Sequence, residues 1–140
     1  MTTKQYLGQI ERLNRMIENK LSEIYEIKSM ACNISVPTDK ERVQSSGAKD
    51  RLGDAIAKLV DLERETDELV DMFIAKRKHI IEQIDQIEKK EHYLILTYKY
   101  VQCMDFKSIF LKMGISERKM YSIYGQALKE FEKLYGNEYL

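Results

Sequence analysis

Asp105–Leu128, DFKSIFLKMGISERKMYSIYGQAL, reads as a helix, a tight turn and a second helix. Gly114 sits where the turn must occur, and Ile115 follows as an apolar plug. Asp105 can cap the first helix and Ser116 the second, because a short side-chain oxygen accepts from a backbone N–H that the first turn leaves open. Ile109 and Met113 precede the glycine at helical spacing; Met120, Ile123 and Ala127 follow it at helical spacing. Two amphipathic helices joined this tightly make a compact unit able to lay one helix in a DNA major groove. A plain helical corner has the same spacing, so the exposed positions must discriminate. Glu117, Arg118, Lys119, Tyr121, Ser122 and Gln126 avoid the apolar stripe of the second helix. They offer charges, donors, acceptors and a flat ring, the groups that base edges and phosphates require. Tyr124 is assigned to packing and Tyr121 to the surface.

Working outward, His92–Val101, HYLILTYKYV, is dense in large apolar groups and predicts one buried helix, with Gln102–Met104 as a short connection and Tyr135–Leu140 as a fraying end. Upstream, Ile10, Leu13, Ile17, Leu21, Ile24 and Ile27 recur in three- and four-residue steps, which predicts an amphipathic helix from Thr3 to about Ala31. Between Cys32 and Asp50 the pattern dissolves around Pro37 and SSGAKD, and a long mobile loop over 32–50 is expected. Periodicity returns at Leu52. Leu59, Leu62, Thr66, Leu69 and Phe73 keep heptad steps, Ile80 and Ile87 continue the phase, and Lys76 and Gln83 interrupt it. A helix from about Asp50 to Lys89 follows, about 60 Å long at 1.5 Å per residue. One shorter helix folding back cannot cover so long a stripe. Leu59, Leu62, Leu69 and Phe73 are therefore expected to carry self-association, most simply as a homodimer. The expected fold is all-α: an antiparallel coiled-coil helical hairpin over 1–90, followed by a helix-turn-helix domain over 91–140.

The 140 residues suit one domain or a small domain with an extended element. One third of them are charged, Trp is absent and Pro occurs once, the composition of a helical protein with much solvated surface. Net charge is zero but unevenly spread. Lys89–Leu140 holds nine basic against six acidic residues, a net +3, and Met1–Glu88 holds fourteen against seventeen, a net −3. The end with the two-helix motif is thus the basic end. Cys32 and Cys103 have no metal-ligand spacing and read as reduced thiols of a cytoplasmic protein. No apolar run approaches the ~20 residues of a membrane span, so no membrane partner is expected.

His92–Lys133 resembles region four of bacterial sigma factors. The parts that carry the resemblance are TYKYV (Thr97–Val101), Asp105, Ile109-Phe110, Met113-Gly114-Ile115-Ser116 and Ala127-Leu128. The whole chain is similar to a family of phage and prophage proteins that set a helical coiled-coil region before a sigma-like end. Ser45–Glu63, SSGAKDRLGDAIAKLVDLE, looks like that family's middle pattern. The family is broadly related to the ArpU and RinA regulators of phage late genes. The resemblance implies a transcription regulator that binds double-stranded DNA and contacts host RNA polymerase. It places Glu117, Arg118, Lys119, Tyr121, Ser122 and Gln126 on the DNA side, with Ser116 at the head of the recognition helix. Arg118 would fork onto a guanine and Glu117 accept from a cytosine amino group, while Lys107, Lys112 and Lys119 hold phosphates.

Three departures stand out. No aromatic-rich basic helix for opening promoter DNA is present. Phe110 stands where such units usually carry Ala, and a ring there pushes the helices apart. Gly125 lies inside the second helix at a cost of about 1 kcal/mol relative to Ala, which a close approach to the Tyr98–Val101 segment would explain.

No catalytic constellation is legible, and no enzyme, cofactor or metal is expected. His79 and His92 are isolated, without a cysteine or carboxylate at ligand spacing. Glu63, Glu65, Asp67 and Glu68 sit on a heptad helix as solvated flanks. Two other readings remain: a small-terminase-like DNA-recognition component of phage packaging, and a protein-interaction module that does not bind DNA.

Overall fold

The computed structural model describes residues 1–35 and 45–140. All regular structure in them is helical: α1 (Thr3–Leu7), α2 (Gln9–Ser35), α3 (Ser45–Asp85), α4 (Lys90–Leu96), a π turn (Thr97–Val101), α5 (Phe106–Met113), α6 (Glu117–Tyr135) and a final 3-10 turn (Gly136–Glu138). Of the segment 32–50, expected as a mobile loop, residues 32–35 and 45–50 are helical. Backbone hydrogen bonding carries α2 to Ser35 and begins α3 at Ser45, and the rest of that segment, 36–44 with Pro37, lies outside the described residues. The expected long helix is α3, of 41 residues, set about five residues earlier than the heptad pattern placed it. The first predicted helix is two. Gly8 closes α1, its N–H donating to the Lys4 carbonyl at 2.9 Å, and α2 starts at Gln9. Thr2 caps α1 in a reciprocal capping box with Gln5.

The packing groups the chain into two compact units, one of Met1–Asn14 with Met72–Leu140 and one of Arg15–Asp71. This division differs from the sequence boundary near residue 90, because α1, the start of α2 and the end of α3 pack with the C-terminal helices.

In the first unit, Tyr6, Leu7, Ile10, Ile80, Ile84, Ile87, Ile95, Leu96, Ile109, Met120, Ile123, Ala127 and Phe131 form one buried core. Each side chain of this size removes apolar area worth about 1.5–3 kcal/mol from water, which drives the short α4 and α5 to fold where isolated helices of their length would not. Two polar residues of α3 that break the heptad pattern are used by this unit. The Tyr6 hydroxyl donates to Gln83 Oε1 at 2.7 Å, and Gln83 Nε2 donates to Glu138 Oε2 at 2.7 Å. Lys76 Nζ lies 5.8 Å from the Tyr6 ring centroid.

The chain end is therefore packed rather than frayed. Tyr139 stacks on Tyr6 at 4.4 Å, its hydroxyl is 2.9 Å from Thr3 Oγ1, and Glu138 also meets His79 Nε2 at 3.1 Å. That hydrogen bond is the main reason the Glu138 carboxyl titrates below the ordinary Glu range. The two histidines are not isolated: His79 meets Glu138, and buried His92 pairs through Nδ1 with Glu130 of α6. Both partners are distant in sequence, which is why ligand spacing did not show them.

In the second unit Ile24, Leu62 and Thr66 are buried, and the Thr66 hydroxyl donates to the Leu62 carbonyl at 2.7 Å. Lys20–Glu65 at 3.1 Å and Lys28–Glu63 at 3.8 Å bridge α2 and α3. The first pair is half-exposed and the second exposed, and surface pairs of this kind are worth at most about 1 kcal/mol each. Among the residues assigned to self-association, Leu62 is buried and Leu59 and Leu69 are half-buried here, while Phe73 is half-buried in the first unit. The large apolar side chains that α3 leaves exposed are others: Ile56, Val60, Met72 and Ile74. Leu21, expected on the apolar stripe of α2, is exposed as well.

Candidate nucleic-acid interface

Each boundary of the α5–turn–α6 segment has a local cause. The Asp105 carboxylate accepts from the Ser108 N–H at 2.7 Å and starts α5. Hydrogen bonding from the Ser108 side chain first, and from its backbone N–H second, holds the Asp105 carboxyl below its ordinary value. Gly114 stops α5 in the left-handed region, at φ 68° and ψ 33°. Its N–H donates to the Leu111 carbonyl at 3.2 Å, and the Ile115 N–H donates to the Phe110 carbonyl at 3.1 Å. These two bonds make a Schellman motif, and a residue with a Cβ is strained at its glycine. Ser116 then caps α6, its Oγ accepting from the Lys119 N–H at 3.1 Å. The turn is thus defined by three residues, and nothing in it is long enough to swing.

The turn sets which faces of the two helices are spent on packing. α5 buries Ile109 completely and half-buries Phe106, Phe110 and Met113. Phe110 is half-buried and packs against the core. α6 buries Met120, Ile123, Tyr124, Ala127 and Phe131. At about 100° per residue these occupy one side of the helix. Tyr124 is fixed by its hydroxyl, which meets the hydroxyl of Tyr100 from the π turn, and burial pushes both phenols up from their ordinary value. A tyrosine pair that stays protonated and internally bonded ties α6 to the π turn.

All nine residues assigned to the DNA side are exposed: Lys107, Lys112, Ser116, Glu117, Arg118, Lys119, Tyr121, Ser122 and Gln126. At the same step of about 100° per residue, Arg118 and Ser122 lie opposite the buried stripe of α6, Lys119, Tyr121 and Gln126 flank it, and Glu117 is exposed in the first turn close to the stripe's own direction. Lys107 and Lys112 stand on α5. Ser116 is engaged inside the fold as the α6 cap. Tyr121, 46% exposed, rests beside the Phe106 ring at 5.2 Å. Lys112 Nζ lies 4.7 Å from the Tyr98 ring centroid. The arrangement presents two cations, hydrogen-bonding side chains and a ring along the exposed side of α6, and two lysines stand on the preceding helix.

Two features escaped the sequence. The buried helix expected over His92–Val101 is α4 followed by a π turn, in which the Gln102 N–H donates to the Thr97 carbonyl at 2.9 Å. That wider turn brings Lys99 onto the Phe106 ring, with Nζ 4.2 Å from its centroid. Periodicity counted at the α-helical step could not have found this. The second is Gly125. A Cβ built there meets nothing within 4 Å, so no close approach to the Tyr98–Val101 segment explains the glycine.

Among the described residues, no group of three or more His, Cys, Asp and Glu side chains is placed to hold a metal, and no helix is long and apolar enough to cross a membrane. Cys32 and Cys103 are both exposed. A family model described as "Protein of unknown function (DUF1492)" matches residues 33–132. That span contains every residue assigned above to DNA contact and to self-association. Comparison with curated proteins and with solved structures found no match.

Proposed function

We propose that this chain, which belongs to the DUF1492 family, is a phage or prophage transcription regulator that binds double-stranded DNA through α6. On this reading α5 and α6 form a helix-turn-helix like that of sigma factor region four, related in kind to the ArpU and RinA regulators. The observation that carries the reading is the outer side of α6, where Arg118, Lys119, Tyr121, Ser122 and Gln126 are exposed around a packed inner face, with Glu117 exposed in the first turn. A merely solvated helix has no need of a ring and short hydroxyl and amide groups at these positions. A groove-reading helix has a use for each of them. Arg118 is the candidate for a forked contact to a guanine edge and Glu117 for a cytosine amino group. Lys107, Lys112 and Lys119 are candidates for phosphate contacts.

Two copies of the chain act together, joined through α3. Ile56, Val60, Met72 and Ile74 stay exposed on that helix, and Leu59, Leu69 and Phe73 are only half covered. A dimer reads two half-sites and leaves other surface for host RNA polymerase. The packaging alternative predicts a ring of many copies instead.

The test is retention of duplexes taken from intergenic DNA of the phage that carries the gene. If each chain neutralises about five phosphates, the dimer neutralises about ten, and log affinity falls against log salt with a slope near −9. Arg118→Ala costs about 1–3 kcal/mol and relaxes preference at one base pair; Lys112→Ala weakens all sequences alike. If neither changes retention, or no duplex is retained by the wild type, the DNA reading is wrong and a protein-interaction module takes its place. Sedimentation tests the dimer: a compact monomer rejects it. Val60→Asp with Ile74→Asp is the sharper probe, because both residues are exposed, whereas Leu62→Asp disturbs the fold itself.

A further inference from the structure

We propose that Lys99 is a further DNA contact, an ammonium held against the phosphodiester backbone by the π turn and the Phe106 ring. The proposal rests on the DNA reading of α6 given above. Lys99 lies in the middle of the Thr97–Val101 π turn, a rare geometry that recurs at functional sites. The wide turn changes the direction in which successive side chains leave the backbone. Tyr100 goes inward to the Tyr124 hydroxyl, and Lys99 beside it stays half-exposed. Two residues after the π turn ends at Val101, Cys103 takes φ 55°, the left-handed region that non-glycine residues avoid. The segment thus holds two disfavoured conformations in succession, which the Met104 N–H secures by donating to the Tyr98 carbonyl at 2.9 Å. Such outliers persist where their surroundings over-determine them.

What the segment achieves is the placement of one cation. Lys99 Nζ sits 4.2 Å from the Phe106 centroid, and the Phe106 ring lies 5.2 Å from that of Tyr121 on the outer side of α6. The ammonium is therefore one ring away from the residues assigned to the groove. It makes no ion pair among the described residues. The nearby Asp105 carboxylate feels its charge but is committed to the Ser108 N–H. A ring face attracts an ammonium without using up its three N–H donors, so those donors remain for phosphate oxygens. Lys112 rests on Tyr98 in the same way, so ring-seated lysines stand against both ends of α5. A side chain held in place beforehand loses less freedom when it meets its ligand.

The experiment compares the full-length wild type, Lys99→Gln, Lys99→Arg and Arg118→Ala on a duplex that the wild type retains, across a series of salt concentrations. For Lys99→Gln the slope of log affinity against log salt should become shallower by about 0.9 per chain bound, equally on every duplex, with the melting temperature lowered by at most ~5 °C, the loss of the ring contact. Lys99→Arg, which keeps both the charge and the ring contact, should restore the wild-type slope. If the Lys99→Gln slope matches the wild type while Arg118→Ala still weakens binding, Lys99 only packs and the inference is overturned with the DNA reading intact. A fall in melting temperature with no change of slope overturns it in the same way. If the wild type retains no duplex at any salt, both fail together.

Discussion

Two glycines of the α5–α6 segment should respond to alanine in opposite senses. Gly125 lies in the interior of α6, where glycine is less favourable than alanine by about 0.8–1.0 kcal/mol. A Cβ there meets nothing within 4 Å, so no packing penalty offsets the gain, and Gly125→Ala should stabilise by about 1 kcal/mol. Gly114 also has open space around its Cα, but its φ is +68°. An L-residue in that conformation costs about 1–2 kcal/mol. The reduced freedom of the unfolded chain returns about 0.4–1 kcal/mol, leaving Gly114→Ala destabilised by about 1 kcal/mol. The two variants, eleven residues apart in one motif, should differ by about 2 kcal/mol. For a chain of this size 1 kcal/mol moves the melting temperature by about 3–5 °C. Melting followed by far-ultraviolet circular dichroism should therefore place Gly125→Ala above the wild type and Gly114→Ala below it. A Gly125→Ala variant that melts lower than the wild type would refute the argument, because it would mean that some part of the chain closely approaches the α6 backbone. A Gly114→Ala variant that melts higher would refute the left-handed turn.

The remaining expectations concern the core and the packed chain end. Tyr6→Phe removes the donor to Gln83 Oε1 and leaves that buried acceptor unsatisfied; a loss of about 1–3 kcal/mol in urea unfolding is expected, and no loss would mean that water replaces the hydroxyl. Glu138 titrates below its ordinary value because it accepts from His79 and Gln83. A carboxyl lowered in the folded state adds stability above its unfolded value and loses it as pH falls through the folded one. The stability difference between wild type and Glu138→Gln should thus be present at neutral pH and vanish in acid, and a difference that persists unchanged in acid contradicts the contact. Ile109→Ala should cost about 2–5 kcal/mol as a large-to-small change in a closed core, whereas Leu111→Ala, two residues away and 65% exposed, should stay within about 0.5 kcal/mol. Equal losses at the two positions would mean that α5 is rotated from the orientation described.

Much of the α5–α6 segment was legible because its determinants are local. Asp105, Gly114 and Ser116 act on backbone groups within five residues of themselves, and a cap or a left-handed turn needs no partner from elsewhere. The apolar stripe of α6 was legible for the same reason, since a helix of known period assigns its faces once its start is known. The sequence by itself therefore determined the helical class, the turn at Gly114 and the side of α6 that stays outside.

Only the tertiary structure decided the rest, because it depends on residues far apart in the chain. Gln83 reads as a break in a heptad until Tyr6 and Glu138 are found on either side of it. His92 reads as isolated until Glu130 is brought to it by the packing of α4 on α6. Tyr135–Leu140 reads as a fraying end until Tyr139 is seen stacked on Tyr6. The π turn belongs with these. There the backbone is wider than an α-helix, Tyr100 is buried against Tyr124 and Lys99 reaches the Phe106 ring. A period of 3.6 residues assigns faces only while the helix stays regular, and long-range packing decides where it does not.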